Sequence, residues 1–272
     1  MGNENRYHAV YSKNFFDGID DARKYGFDFV QFDLGVPKFF LNELTDENLN
    51  DITAYANDKG VIITFHAPGD NVGLFCDYPI IRKGILEEFS LILEKANKLN
   101  ARHITFHAGN YSRLKKSGTK SDESNISYYE QILYENVRYL VARCGNVLVC
   151  IENFMWDKVI CAVIKRLIDD GNALYLTLDT AKLYSDAAAT KIIKDDYELF
   201  IQYKSYIREM HIHDMNEEFK SHQTVGTGAV DFQLFKQFLK NDVYLNFEVR
   251  PVEAAKTSKD NISKIWGYNF TE

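Results

Sequence analysis

Six side chains able to bind a metal ion or move a proton recur along the chain, each about one βα unit after the last: His66, His107, Glu152, Asp179, His211 and Glu248. Each closes a short apolar, β-rich run, in turn VIITFH, HITFH, VLVCIE, LYLTLD, IREMH and VYLNFE. A lone glutamate at a strand end usually caps a helix or pairs with a loop cation. Six nitrogen and oxygen donors at successive strand ends imply strands arranged around a common centre, all pointing at one spot. A (β/α) barrel builds an active site on its carboxyl-terminal face in this way.

The elements that would position these residues are visible in the hydrophobic pattern. Strand candidates are Tyr7–Tyr11, Phe27–Phe32, Val61–His66, Ile104–His107, Val147–Glu152, Leu174–Asp179, Ile207–His213 and Tyr244–Glu248. They read as continuous apolar runs, as parallel strands buried on both faces should. Between them lie amphipathic stretches at Phe15–Tyr25, at Thr45 to Gly60, at Ile80–Leu99 and at Ile126–Cys144, and a further helix is expected to start at Asp231. The polar stretch 115–125, KKSGTKSDESN, reads as an exposed loop on the active-site side and a candidate lid. The expected fold is α/β, a single (β/α)8 TIM barrel filling residues 1–272 as one domain, since such barrels typically take about 250 residues.

Composition narrows the function classes. Hydrophobic residues at 46% and charged residues at 26% suit a protein with a large core. A net charge of −7 gives no general pull toward nucleic acid or an anionic membrane. No apolar run approaches the ~20 residues that span a bilayer. The first residues lack the basic start and apolar middle of a signal peptide. Cys76, Cys144, Cys150 and Cys161 form no CxxC pair and read as reduced thiols. The expected location is cytoplasmic.

The ordered set ITFHAP (63–68), ITFHAG (104–109), CIEN (150–153), LTLDTAKLY (176–184), MHIHDMN (210–216), HQTVGTGAVDF (222–232) and NFEVRP (246–251) resembles the xylose isomerase-like barrel superfamily. That group includes sugar isomerases and epimerases, inosose dehydratase-like enzymes and endonuclease IV, and the resemblance covers nearly the whole chain. It implies that Glu152, Asp179, His211 and Glu248 hold one divalent metal. His66 and His107 match residues that face the substrate in the sugar enzymes and bind additional zinc in endonuclease IV. His211 fits the family's H-x-x-D pattern, with Asp214 as its acidic member. Endonuclease IV has a histidine three residues after the strand-six aspartate and an Asp-x-His pair before the late glycine turn. Those positions here read Lys182 and Lys220-Ser221-His222. A protonated amine cannot ligate a metal, so two ligands of the third zinc are missing.

Three carboxylates and an imidazole suit Mn²⁺, Mg²⁺, Co²⁺ or Zn²⁺, and the lack of cysteine ligands disfavours a structural zinc site. Such an ion can chelate the adjacent carbonyl and hydroxyl of a ketose and stabilise an enediolate. Proton removal on one face and return on the other need an acid/base pair, assigned here to Glu152 and Glu248. Two cations, Lys182 and Arg250, stand near the substrate mouth and suit a phosphate or carboxylate on the substrate, unless Asp186 or Glu253 pairs with them. Trp156, Phe154 and Phe75 follow strand ends and can wall a sugar's apolar face or pack the rim. Two residues from His211 on a strand, His213 would also point inward, next to the substrate or hydrogen-bonded behind it. His222 joins the substrate-binding set, while His103 and His8 read as structural. The glycines of VGTGAVDF read as a tight turn, with a backbone-amide anion site as the alternative.

The reading is a metal-dependent sugar isomerase or epimerase with a small-molecule partner, no nucleic acid and no membrane. Self-assembly into a homo-oligomer is left open. The competing readings are an endonuclease IV-like zinc-dependent phosphodiesterase, and a non-catalytic barrel used for binding.

Overall fold

The computed structural model describes residues 5–8, 12–69, 73–109, 123–185 and 188–268, with side chains at 12–69, 73–109, 126–184 and 192–268. Eight parallel strands close into a barrel: β1 (Asn5–His8), β2 (Phe29–Asp33), β3 (Ile62–His66), β4 (His103–His107), β5 (Leu148–Glu152), β6 (Leu174–Asp179), β9 (Ile207–His211) and β10 (Tyr244–Phe247). Each neighbours its chain successor around the ring, and β1 pairs with both β2 and β10 to close it. Between β6 and β9 the chain makes an antiparallel pair, β7 (Tyr184–Ser185) and β8 (Ala188–Ile192). The expected TIM barrel is therefore the architecture observed.

The connecting helices end where local chemistry ends them. Helix α1 (Phe15–Lys24) starts with the Asn14 side chain accepting the Asp17 N–H. Helix α2 (Asp46–Lys59) opens with a reciprocal box, Thr45 Oγ1 accepting the Asn48 N–H while the Asn48 side chain accepts from Thr45, and closes at Gly60 with φ +65°. Helices α3 (Pro79–Lys98), α4 (Glu123–Val141), α5 (Lys158–Asp169), α6 (Lys194–Gln202) and α7 (Val252–Trp266) complete the outer layer. Among the described residues no helix is long and apolar enough to cross a membrane.

Several expectations shift. The first strand is described over Asn5–His8, with Arg6 opposite Phe29 and Asn246, and residues 9–11 of the expected Tyr7–Tyr11 lie outside the described residues. The seventh strand stops at His211 and the eighth at Phe247, so His213 and Glu248 lie just past their strands. In place of a helix from Asp231 there is a 3₁₀ run, Phe232–Phe238, capped by Asp231. Phe232, Phe235 and Phe238 recur every third residue and bury one face, the period of a 3₁₀ turn. Residues 115–122 of the proposed lid and the side chains of His8 and Asp186 lie outside the described residues.

The barrel centre is unexpectedly polar. Gln31, Thr64, His103, Thr105, Thr177, Glu209 and Asn246 are fully buried there. Several of them hydrogen-bond to one another across the barrel, for example Asn246 Nδ2 to Gln31 Oε1 at 2.7 Å and Thr105 to Thr177 at 2.9 Å.

Candidate active site

Strand register brings the sequence-predicted residues to one level. Asp33 lies beside His66, His107 beside Glu152, and Asp179 beside His211. Glu152 Oε2 is the common point of the cluster, 3.2 Å from both His66 Nε2 and His107 Nε2 and 3.4 Å from His211 Nδ1. Glu248 Oε2 lies 3.3 Å from His211 Nδ1, 3.5 Å from His222 Nε2 and 3.8 Å from His213 Nε2. Asp179 divides its oxygens. Oδ1 accepts the N–H groups of Ala181 and Lys182 and caps the turn after β6, while Oδ2 faces His213 at 2.9 Å and Lys182 Nζ at 3.7 Å.

The electrostatics follow from this crowding. Burial raises the Glu152 carboxyl, but the charges of His107 and His211 and hydrogen bonds from His107 and His66 outweigh it and hold Glu152 well below its ordinary value. Burial likewise raises Asp179, and His213 and Lys182 bring it down below normal. His66 and His211 show the converse: burial lowers them, and the carboxylates around them, Glu152 foremost, leave both raised. His66 Nδ1 sits 2.9 Å from the Ala67 carbonyl, to which it can only donate. A protonated His66 therefore donates from both nitrogens, to Ala67 and to Glu152. Lys182 is half-buried beside Asp179, Glu152 and Glu248, whose charges outweigh desolvation and raise its pKa.

The donor set fits a divalent ion. Ligand atoms of Glu152, Asp179 and His211 lie within 4.8 Å of one another, and Glu248 reaches the same imidazole nitrogen. That nitrogen, His211 Nδ1, is buried without a hydrogen bond. That nitrogen and two carboxylate oxygens surround one small volume, where a divalent cation can take the place of the His211 proton. Mixed carboxylate and imidazole donors without sulfur suit the Mg²⁺ to Zn²⁺ series. A model of the xylose isomerase-like TIM barrel family matches residues 19–264. The chain belongs to that family.

This xylose isomerase-like barrel is 28% identical to an uncharacterized protein of Methanocaldococcus jannaschii over 74% of this chain and 73% of that one. Among solved structures, a D-psicose 3-epimerase from Clostridium cellulolyticum H10, determined with D-tagatose, superposes with a TM-score of 0.73 at 17% identity, covering 97% of this chain and 99% of that one. IolI with a bound zinc atom superposes with a TM-score of 0.70 at 15% identity, covering 97% and 98%. The likeness to the two structures is one of fold.

A cavity of about 740 Å³ opens above the cluster and is lined by His66, His107, Glu152, Lys182, His222, Glu248 and Arg250, all sequence-predicted. Phe154 forms one wall, its ring stacked on His107 with centroids 4.3 Å apart. Trp156, His213 and Phe75 lie away from the cavity wall. Trp156 stacks on Phe200 at 5.4 Å and lines a separate depression beside Asp157, Cys161 and Asp196, so it does not reach the cavity. His213 is fully buried behind Asp179, its Nδ1 accepting the His222 N–H at 3.0 Å, and takes the hydrogen-bonded role. Phe75 is also buried and is absent from the cavity wall. The VGTGAVDF amides hold an internal carboxylate: Gly226 and Gly228 donate to Asp214 Oδ2 and Val230 to Oδ1, which also accepts the N–H of Met215. A Cβ at Gly228 would lie 2.1 Å from the Met215 carbonyl oxygen, which explains glycine there.

Asp33, Glu88 and the segment around Phe40–Asn42 line the cavity's outer part without having stood out in the sequence. Glu209 did not stand out either. The signal for Glu209 was present, since residues two apart on a strand share a face.

Proposed function

We propose that the chain is a divalent-metal-dependent isomerase or epimerase of a ketose or ketose derivative. What supports this is that ligand atoms of Glu152, Asp179 and His211 lie within 4.8 Å of one another, with Glu248 Oε2 3.3 Å from the same His211 Nδ1, beside a cavity that Glu152 and Glu248 line. These four residues would hold the ion, which when bound polarises the substrate carbonyl and stabilises negative charge on its oxygen.

The remaining chemistry belongs to the chain. Glu152 stays ionised at neutral pH because imidazoles surround it, so it is in the form that accepts a proton α to the carbonyl. Glu248, just past a different strand, approaches the same volume from another side and delivers a proton of its own, drawn from solvent, to the opposite face, while Glu152 releases the abstracted proton to solvent. His66 and His107 flank Glu152 and present N–H groups to substrate oxygens. Phe154, Leu34, Val36 and Phe40 supply apolar surface for the C–H face of a sugar, and Asn42 and Glu88 supply polar groups for hydroxyls at the far end. Lys182 and Arg250 at the same cavity accommodate a phosphate or carboxylate substituent. The fold likeness to a D-psicose 3-epimerase determined with D-tagatose supports a ketose as the substrate class.

A second reading, a zinc phosphodiesterase, has one observation in its favour: His66, His107 and Glu152 also cluster within 4.8 Å. Lys182 and Lys220 argue against it. The first is already paired with Asp179, and the second is exposed and paired with Glu218 at 2.7 Å.

The test is proton exchange. With Mn²⁺-, Mg²⁺-, Co²⁺- or Zn²⁺-loaded protein and a panel of free and phosphorylated ketoses in deuterated water, label should enter the epimerised or transferred carbon. Glu152→Gln and Glu248→Gln keep the shape and remove the base, so each should slow turnover by at least about 10²-fold. Turnover without deuterium uptake, or both variants near the wild-type rate, would overturn the assignment.

A further inference from the structure

We propose that Glu209 is a positioning residue: it holds the proton of His211 on Nε2 and so presents Nδ1 bare to the ion. The proposal rests on the metal reading above.

Glu209 is fully buried on β9, two residues before His211. Its Oε1 lies 2.8 Å from His211 Nε2 and 3.4 Å from the Gln31 side-chain amide. Its Oε2 receives the Thr105 hydroxyl at 2.6 Å and lies 2.8 Å from His103 Nε2. An ionised carboxylate offers about four lone-pair sites and no proton. Every partner here is a donor when both imidazoles carry their proton on Nε2, so the carboxylate is satisfied in full. A buried carboxylate facing unprotonated nitrogens would instead be left with uncompensated charge, which is strongly unfavourable. Glu209 thereby selects the Nε2–H form of His211, and the other nitrogen is the orphan that faces Glu152 and Glu248.

Backbone geometry supports the same role. Along the β6–β9 pairing, Leu176 opposes Ile207 but Thr177 opposes Glu209, so Arg208 is an extra residue on β9. Such an irregularity re-aims the side chains beyond it. Here it brings Glu209 level with Thr177 and His211 level with Asp179. A carboxylate on the far nitrogen of a metal-binding imidazole fixes the ring and increases its basicity, and losing it commonly weakens metal binding about 10–100-fold.

The experiment titrates Zn²⁺ into metal-free wild type, Glu209→Gln and Thr105→Val by calorimetry, with thermal unfolding of each in parallel. Glu209→Gln should weaken Zn²⁺ binding by about 10-fold or more. Thr105→Val removes a donor to the other oxygen, so it should lower Tm while keeping wild-type affinity, which a merely structural network would not separate. Histidine ¹⁵N NMR of Zn²⁺-loaded wild type should show His211 protonated at Nε2 and coordinated at Nδ1, and it serves alone if Glu209→Gln does not fold. Unchanged Zn²⁺ affinity in Glu209→Gln, or a proton on Nδ1, overturns this proposal alone. A wild type that takes up no Zn²⁺ at all overturns the metal reading and this proposal with it.

Discussion

Glu152, Asp179 and Asp196 are all buried carboxylates, yet their surroundings push them in opposite directions. Imidazoles and Lys182 hold the first two below their ordinary values. Asp196, in the first turn of α6, has the weak Cys161 thiol at 3.7 Å as its hydrogen-bond partner among the described residues, and burial lifts it from 3.8 to about 6. A raised carboxyl favours the protonated folded state. Its cost is therefore absent below pH 3.8, sets in as pH rises, and is complete above about pH 6. At neutral pH that cost is at most about 3 kcal/mol. Asp196→Asn should accordingly raise the urea midpoint at pH 7–8 and flatten its decline between pH 4 and 7, with little change at pH 4. An unchanged pH profile would show that Asp196 titrates normally. The six strand-end residues were legible in the sequence because each closes its own apolar run. Glu209 was passed over because it sits inside its run, and Trp156 stayed open between cavity wall and rim packing because sequence order does not say whether a ring turns toward the cavity or toward Phe200.

Among the elements, the turn at 226–230 and helix α3 give opposite predictions for the same substitution. At Gly228 a methyl group would meet the Met215 carbonyl oxygen at 2.1 Å and Asp214 Oδ1 at 2.5 Å. Gly228→Ala must therefore open the turn and strip amides from a buried carboxylate, at about 1–3 kcal/mol or more. The segment between Asp214 and this turn carries His222, so substrate binding should weaken as well. Gly84 lies on the exposed face of α3, and a methyl group added there would meet nothing within 4 Å. At that position Gly→Ala should stabilise by about 0.5–1 kcal/mol, by restricting the unfolded chain. Urea unfolding of both variants decides it, and equal effects would contradict the account. The barrel strands and α1 to α4 were visible from periodicity, caps and glycines. The register of β1, the β7–β8 pair, the 3₁₀ run at Phe232–Phe238 and the extra residue at Arg208 were not, because tertiary neighbours rather than local pattern decide them.

At the scale of the whole molecule, eight strand ends deliver a handful of donors to one face, and the number of ions they hold separates the two enzymatic readings. A net charge of −7 offers no general attraction for a phosphate backbone. By the resemblance to endonuclease IV, Lys182 and Lys220 stand where that enzyme's further zinc ligands would be. Metal-dependent incision of an abasic DNA duplex is therefore expected to be absent. The most direct measurement is the metal content of purified protein after reconstitution with each divalent ion and exhaustive dialysis, read beside the same analysis of Asp179→Asn. The account predicts one ion per wild-type chain and substantially less in the variant. Two or three zinc ions per chain, or full occupancy in Asp179→Asn, would contradict it.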